Sequence, residues 1–179
     1  MKLCKIDING QTFRLCLNGA ALFDIYDKFG TKGFVTDPIE GHTRKAFNAT
    51  CWMFAKLAEQ GELVRRHQGY DRQEIKMPEY FQTFFRPADV LTAREAIKTA
   101  VQVGFAREIP DEEDGEIDLG LQELEKKNGT GLTRSRYLQI ITQFLGLSAR
   151  EGLLLTVGQV ADLQTLEIAR RGLKRKEDG

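Results

Sequence analysis

The sequence of 179 residues predicts a mainly α-helical (α+β) fold, in which an N-terminal β-hairpin packs on a helical bundle and a small C-terminal helical module follows. Three observations lead to this prediction. Asn9-Gly10 lies between two alternating runs, which is a strong hairpin signal. Apolar residues then recur at three- and four-residue spacing, which favours helices. Finally, Ser148 with Glu151 and Thr156 with Gln159 form two capping boxes, which mark successive helix starts.

The hairpin is the first predicted element. Leu3, Lys5 and Asp7 alternate with Cys4, Ile6 and Ile8, and alternation resumes from Thr12 to Leu17. An isolated hairpin is only marginally stable, so its apolar face must rest on another element, and the following helix is the nearest candidate. Cys4 and Cys16 could face each other across the hairpin. In a reducing compartment they are expected to serve as small apolar side chains.

Helical patterns follow over about 19–29, 43–66 and 92–107. Leu22, Phe23, Tyr26 and Phe29 form the buried stripe of the first, and Gly30 stops it. Gly61 is expected to break or kink the second. A capping box from Thr92 to Glu95 opens the third. Between them, the aromatic stretch 78–85 could form one helical face or a loop plug. If its rings are exposed, they favour self-association as a homo-oligomer.

An acidic stretch divides the chain. Carboxylates crowd together after Pro110 with almost nothing to bury, so this stretch is expected to be solvated and flexible. The predicted domains are therefore a hairpin plus helical domain (1–109), an acidic linker (110–131) and a C-terminal helical module with a basic tail (132–179). The helix between the two capping boxes can hardly exceed two turns, so neighbouring helices must stabilise it.

Composition excludes several classes of function. Lysine plus arginine equals aspartate plus glutamate at 26 each, so no global field would attract nucleic acid or an anionic membrane. No apolar run approaches the roughly twenty residues that cross a bilayer, and the N-terminus has no apolar region of signal-peptide type. We therefore expect a cytoplasmic protein without a membrane partner.

Residues capable of catalysis do not converge in the sequence. His42 and His67 have no acidic or cysteine neighbour at metal-ligand spacing, and both are expected at the surface. Cys51 lies on an apolar helix face beside Trp52, which is typical of an inert core thiol. No glycine-rich loop has the context of a phosphate site. The sequence predicts neither an enzyme nor a cofactor or metal site, which leaves binding as the function.

Two segments resemble a known family. An apolar helix is followed by Gly146-Leu147-Ser148, a short leucine-rich turn, and the run from Leu155 to Leu163 that contains Thr156, Gly158, Val160 and Asp162. This order is similar to the C-terminal segment of the tail assembly chaperones of long-tailed (siphovirus-type) bacteriophages and prophages. The opening hairpin and Gly19 to Gly30 resemble the usual beginning of that family. The likeness covers about the first thirty and last fifty residues.

The resemblance implies an assembly chaperone that binds the tape measure protein, and possibly the tail tube protein, in the host cytoplasm and is absent from the mature virion. Apolar grooves between short helices would hold such a partner. The candidate partner-binding residues, which divide between core and groove in a way the sequence leaves open, are Tyr137, Phe144, Leu147, Leu153, Leu154, Val160 and Leu163.

Two alternatives share these features. Short capped helices, with Arg134 and Arg136 at a helix start and a basic tail, could belong to a helix-turn-helix-like nucleic-acid-binding regulator. The helix from Thr156 to Ala169 has no arginine before Arg170, however, and phosphate contacts dominate DNA affinity. The second alternative is a structural virion component, which would remain in the finished particle.

Overall fold

A computed structural model describes residues 2–30, 33–109 and 133–172. The chain begins with strands β1 (Cys4–Ile8) and β2 (Gln11–Leu15). The helices are α1 (Gly19–Phe29), a 3-10 turn (Asp37–Ile39), α2 (Arg44–His67), α3 (Pro78–Phe84), α4 (Pro87–Phe105), α5 (Arg134–Gln139) continued by a π-helical segment (Ile140–Phe144), α6 (Ala149–Leu154) and α7 (Val157–Arg170). The mainly helical α+β fold with an N-terminal hairpin is therefore confirmed.

The hairpin has the predicted two-residue turn. Asn9 and Gly10 have φ values of 50° and 76°, as a type I′ turn requires, and β1 pairs with β2 in an antiparallel register. Cys4 lies opposite Leu15, so the expectation that it could face Cys16 is wrong by one position. Because successive residues of a strand point to opposite faces, that offset separates the two thiols.

The hairpin rests mainly on α2 and α4, whereas the helix that follows it was the expected support. The ring of Phe13 makes edge contacts with Phe54 of α2 and Phe81 of α3, at centroid distances of 5.3 and 5.5 Å. The backbone N–H of Cys16 donates to the carbonyl of Leu57 at 3.0 Å. The longer helices present larger apolar faces than α1, so the hairpin buries more surface against them.

Gly61 does not interrupt α2, which corrects the predicted break or kink. A β-carbon built at this position would lie 1.8 Å from the carbonyl oxygen of Arg14 on β2. The glycine is needed because the strand backbone approaches the helix where a side chain would otherwise stand. Glycine is thus required at position 61 because it has no side chain, and not because of its conformational freedom.

The aromatic stretch forms a helix whose rings enter the core. Phe81 and Phe85 are buried, and Tyr80 and Phe84 are half-buried and stacked at 5.1 Å. These rings therefore do not form an exposed patch for self-association. The next helix, α4, starts at Pro87 rather than Thr92, because proline suits the first helical position and Asp89 accepts a hydrogen bond from the backbone N–H of Arg86 at 2.8 Å.

The C-terminal helices follow the predicted boundaries. Both capping boxes are formed, α6 has six residues, and Gly146 ends the preceding segment with a φ of 69°. Tyr137, Ile141 and Val160 lie in the same hydrophobic cluster as the buried residues of α1 and α2. Residues 133–172, which we call the C-terminal unit, therefore complete a shared core. The predicted linker 110–131 and the tail beyond residue 172 lie outside the described residues.

Candidate functional site

The structure divides the seven candidate partner-binding residues by burial. Tyr137, Leu154 and Val160 are buried, so they belong to the core. Phe144, Leu147 and Leu153 are half-buried, and the two leucines pack at the margin of the core. Leu163 is the exposed member, with 37% of its surface accessible. The half-buried and exposed residues thus have surface that a partner could contact, whereas the buried three have almost none.

A cleft of about 340 Å³ opens between the π-helical segment and α7. Its lining, which defines the C-terminal cleft, consists of Arg136, Gln139, Ile140, Gln143, Phe144 and Gln164. The π-helical segment adds a residue to the helical turn there, a departure from α-helical geometry that occurs often at functional sites. The lining combines two apolar side chains with three amides and one guanidinium.

Two polar atoms of the C-terminal cleft have unused hydrogen-bonding capacity. The Nε of Arg136 and the Oε1 of Gln164 are buried and make no hydrogen bond within the described residues. Arg136 does donate from Nη1 to Gln139 at 2.8 Å, which holds its side chain against the π-helical segment. A buried donor and a buried acceptor without partners each carry an energetic cost that a complementary ligand would relieve.

Arginines at the end of α7 are held by Glu167. Arg170 and Arg171 each contact its carboxylate at 2.6 Å, and the hydrogen bonds from both guanidinium groups lower the pKa of Glu167 to about 2. Arg171 also lies over the ring of Phe144, 4.6 Å from its centroid, and donates to the Phe144 carbonyl at 2.9 Å. Arg171 therefore serves the packing of α7 on the π-helical segment, whereas Arg170 contacts Glu167 of its own helix.

Exposed apolar side chains continue along α7. Leu166 is 56% exposed and lies three residues after Leu163, so the two are neighbours on the helix surface. Sequence reasoning missed Leu166 and Gln164 as candidate site residues, and it named Arg136 only for the nucleic-acid-binding alternative. The spacing of the two leucines was visible in the sequence, but it fits a buried stripe equally well. Only the packed structure shows which side of α7 is left uncovered.

Asp162 attaches α7 to the end of α4. Its carboxylate accepts hydrogen bonds from Arg107 Nε at 3.0 Å and from the backbone N–H groups of Glu108 and Ile109 at 2.8 and 3.4 Å. Arg107 also donates to Thr165 at 3.0 Å. Burial alone would raise the pKa of Asp162, but these donors outweigh it and the pKa is lowered from 3.8.

The Asp162→Asn variant is expected to lose about 1.5 kcal/mol of stability at neutral pH, because charge-assisted hydrogen bonds weaken. A lowered carboxylate pKa stabilises the folded state fully above its ordinary value of 3.8, and this contribution is lost as pH falls through the folded-state pKa. The difference between wild type and variant should therefore shrink below about pH 4. Denaturant unfolding from pH 7 to pH 3 measures it, with the exposed Asp71→Asn as control. A difference that grows on acidification would contradict this assignment.

The histidines and Cys51, the residues capable of catalysis, do not come together. His42 and His67 are exposed, as predicted, and Cys51 is buried on α2. Burial raises the pKa of the Cys51 thiol to about 11, which disfavours the thiolate. In residues 2–30, 33–109 and 133–172 no cluster of three or more histidine, cysteine or acidic side chains could hold a metal ion.

Within the same described ranges, no helix has the length and apolar character needed to cross a bilayer. Two features of the C-terminal unit are thus candidates for function, namely the C-terminal cleft and the exposed leucines of α7. No protein-family model matches this chain, and no curated protein or solved structure is significantly similar to it.

Proposed function

We propose that this protein is a phage tail assembly chaperone that binds the tape measure protein through its C-terminal unit. The observation that carries the proposal is the C-terminal cleft together with the exposed pair Leu163 and Leu166 on α7. Exposed apolar side chains and a cleft that combines apolar with polar groups are both typical of surfaces that bind another protein. The assignment to phage tail assembly comes from the resemblance of the two terminal segments to that chaperone family.

The chemistry of the cleft suits a polypeptide ligand. Arg136 Nε is an unused donor and Gln164 Oε1 an unused acceptor, and an amide offers the complementary acceptor and donor. Ile140 and Phe144 provide apolar surface in the same cleft. A partner helix or turn can place an apolar side chain and an amide there together. Binding rather than catalysis is thus the role that we assign to the C-terminal unit.

The tape measure protein is the partner proposed because a long helical protein exposes apolar stripes before tube subunits enclose it. A chaperone that covers such stripes lowers their tendency to aggregate. The tail tube protein is the second proposed partner. Both interactions take place in the host cytoplasm, so the chaperone should be absent from purified virions. Its presence there in stoichiometric amounts would favour the structural virion component instead.

The alternative of a nucleic-acid-binding regulator receives less support from the same surface. Arg170 and Arg171 are engaged by Glu167, and Leu163 and Leu166 occupy the exposed side of α7. A recognition helix would need cations free to contact phosphates. DNA binding that falls steeply with salt would support the regulator, and no binding at low salt would exclude it.

The Leu163→Glu/Leu166→Glu variant is expected to lower co-purification of a tape measure protein at least tenfold, because charged groups at two adjacent interface positions must be desolvated. Leu166 is 56% exposed, but Leu163 is only 37% exposed and packs most of its surface, so the variant is also expected to lose about 1 to 2 kcal/mol of stability. Binding is therefore compared per folded molecule. The measurement is co-expression of untagged tape measure protein with the tagged variant, followed by affinity purification and quantification of both chains.

Met77→Glu is the matched control, because Met77 is 65% exposed and lies before α3, outside the C-terminal unit. It should bind as wild type does. Equal loss of binding in both variants would mean that the loss is not specific to α7, and unchanged binding in the Leu163→Glu/Leu166→Glu variant would mean that α7 is not the interface. A tape measure protein that stays insoluble and unbound with the wild-type chain would remove the main support for the chaperone function.

A further inference from the structure

Strand β1 has a hydrogen-bonding edge that no described strand occupies. Within the described residues it pairs with β2 alone. The two-residue turn makes Ile8 and Gln11 a hydrogen-bonded pair, and such pairs alternate along an antiparallel ladder. The N–H and C=O groups of Lys5 and Asp7 therefore point away from β2. Their side chains lie on the outer face of the hairpin, each 62% exposed.

A groove runs beside this edge and leaves room for another strand. It has a volume of about 510 Å³ and is bounded by Cys4, Lys5 and Ile6 on one side and by α4 on the other. On α4 the groove is lined by the small side chains of Thr92, Ala96 and Thr99 and by the larger Leu91 and Glu95. Small side chains permit the close approach of another backbone. Leu91, which also lines the groove, is 60% exposed, and a strand bound in the groove would cover it.

We propose that β1 pairs in an antiparallel arrangement with β1 of a second copy of this chain, forming a symmetric dimer with a four-stranded sheet. Pairing of an exposed strand edge is a common mode of association. In a two-fold arrangement the same surface is used by both copies, so the sequence of β1 must complement itself. The run Lys5-Ile6-Asp7 does so, because its two charges exchange places when it is reversed.

The charges select one register among those that the ladder allows. Residues whose backbone N–H and C=O groups point away from β2 must lie opposite each other in the new pair of strands. This condition leaves three symmetric pairings near the centre of β1. Two of them place Lys5 opposite Lys5 or Asp7 opposite Asp7, and like charges directly opposite are destabilising. The third places Lys5 of each copy opposite Asp7 of the other, with Ile6 facing Ile6 on the axis. This register also continues the apolar face through Cys4 and Ile8.

The test is sedimentation equilibrium of the full chain over a range of concentrations. Wild-type protein should form a reversible dimer. Lys5→Asp and Asp7→Lys each create two like-charge pairs across the axis, so each should raise the dissociation constant about tenfold or more. When the two single variants are mixed, every cross-axis pair is again of opposite charge. The mixture should therefore form a heterodimer, and the double variant Lys5→Asp/Asp7→Lys should dimerise alone.

Arg72→Asp is the control, because Arg72 is exposed in the loop that runs beside β2, on the other edge of the hairpin, and this variant should dimerise normally. Amide hydrogen exchange of the wild type gives a readout that needs no variant. Protection of the Lys5 and Asp7 amides should rise with concentration, while the Ile6 amide stays protected throughout. A monomer at all concentrations, or a dimer that neither single reversal weakens, would overturn the proposal.

Discussion

Replacing Gly61 with alanine is expected to destabilise the folded protein by about 3 kcal/mol, although alanine is the better helix former. The added β-carbon would lie 1.8 Å from the carbonyl oxygen and 2.7 Å from the carbonyl carbon of Arg14, and both atoms belong to backbone that side-chain rotation cannot move. The helix α2 and the strand β2 must separate. That movement disturbs the hydrogen bond from Cys16 N–H to the Leu57 carbonyl one turn away.

The expected change in stability is opposite in sign to that of the same substitution at an open helical position. At an open helical position, glycine to alanine stabilises a protein by roughly 1 kcal/mol. Thermal and denaturant unfolding of Gly61→Ala should instead show a loss, with a melting temperature lowered by roughly 10 °C for a chain of this size. Asn48→Ala, at an exposed position of the same helix, is the control and should change stability little. Unchanged or increased stability in Gly61→Ala would show that α2 and β2 do not approach as described.

Replacing Tyr137 with alanine is expected to cost about 4 kcal/mol, comparable to other large aromatic-to-alanine changes in cores. Its ring is 1% exposed and makes an edge contact with Phe23 at 5.2 Å. It also lies where a β-carbon on Gly19 would stand, 2.6 Å from the ring. The side chain joins the C-terminal unit to α1, so the cavity left by alanine would open at their junction. The loss of stability should appear as faster proteolysis and faster amide hydrogen exchange in residues 133–172.

Tyr137→Phe should have the opposite sign. The hydroxyl of Tyr137 is buried without a hydrogen-bond partner in the described residues, and burial raises its pKa. Removing the hydroxyl is expected to stabilise the protein by about 1 kcal/mol, since an unsatisfied buried polar group is costly. Tyr80→Phe is the matched control, because Tyr80 donates to Gln11 at 3.0 Å and should lose about 0.5 kcal/mol. A destabilised Tyr137→Phe would mean that the hydroxyl has a partner, such as bound water.

The Tyr137→Ala variant and the Leu163→Glu/Leu166→Glu variant together separate effects on folding from effects on partner binding. Tyr137 was a candidate binding residue, yet its burial predicts that Tyr137→Ala lowers binding only through loss of folded protein. Replacing Leu163 and Leu166 with glutamate, by contrast, should lower binding per folded molecule. Comparing binding per folded molecule for the two sets therefore distinguishes residues that hold the C-terminal unit together from those that contact the partner.

Local signals in the sequence determined several elements of this protein. The Asn9-Gly10 turn, the start of α1 at Gly19 with its stop at Gly30, and the two capping boxes of the C-terminal unit all depend on residues close together in the chain. Such signals act through backbone conformation and nearby hydrogen bonds. These elements can therefore be predicted from the sequence without knowing the rest of the fold.

The tertiary structure decided what those elements pack against. In the sequence Gly61 predicts a break in the helix, and only the structure shows that the backbone of β2 lies beside it. Likewise, nothing in the sequence distinguishes Asp162 from other acidic residues, whereas in the structure Arg107 and two backbone N–H groups donate to it. The same holds for the leucines of α7, because an apolar stripe at helical spacing does not state which members are covered. Burial and long-range contacts depend on the meeting of segments distant in sequence, so only the assembled fold fixes them.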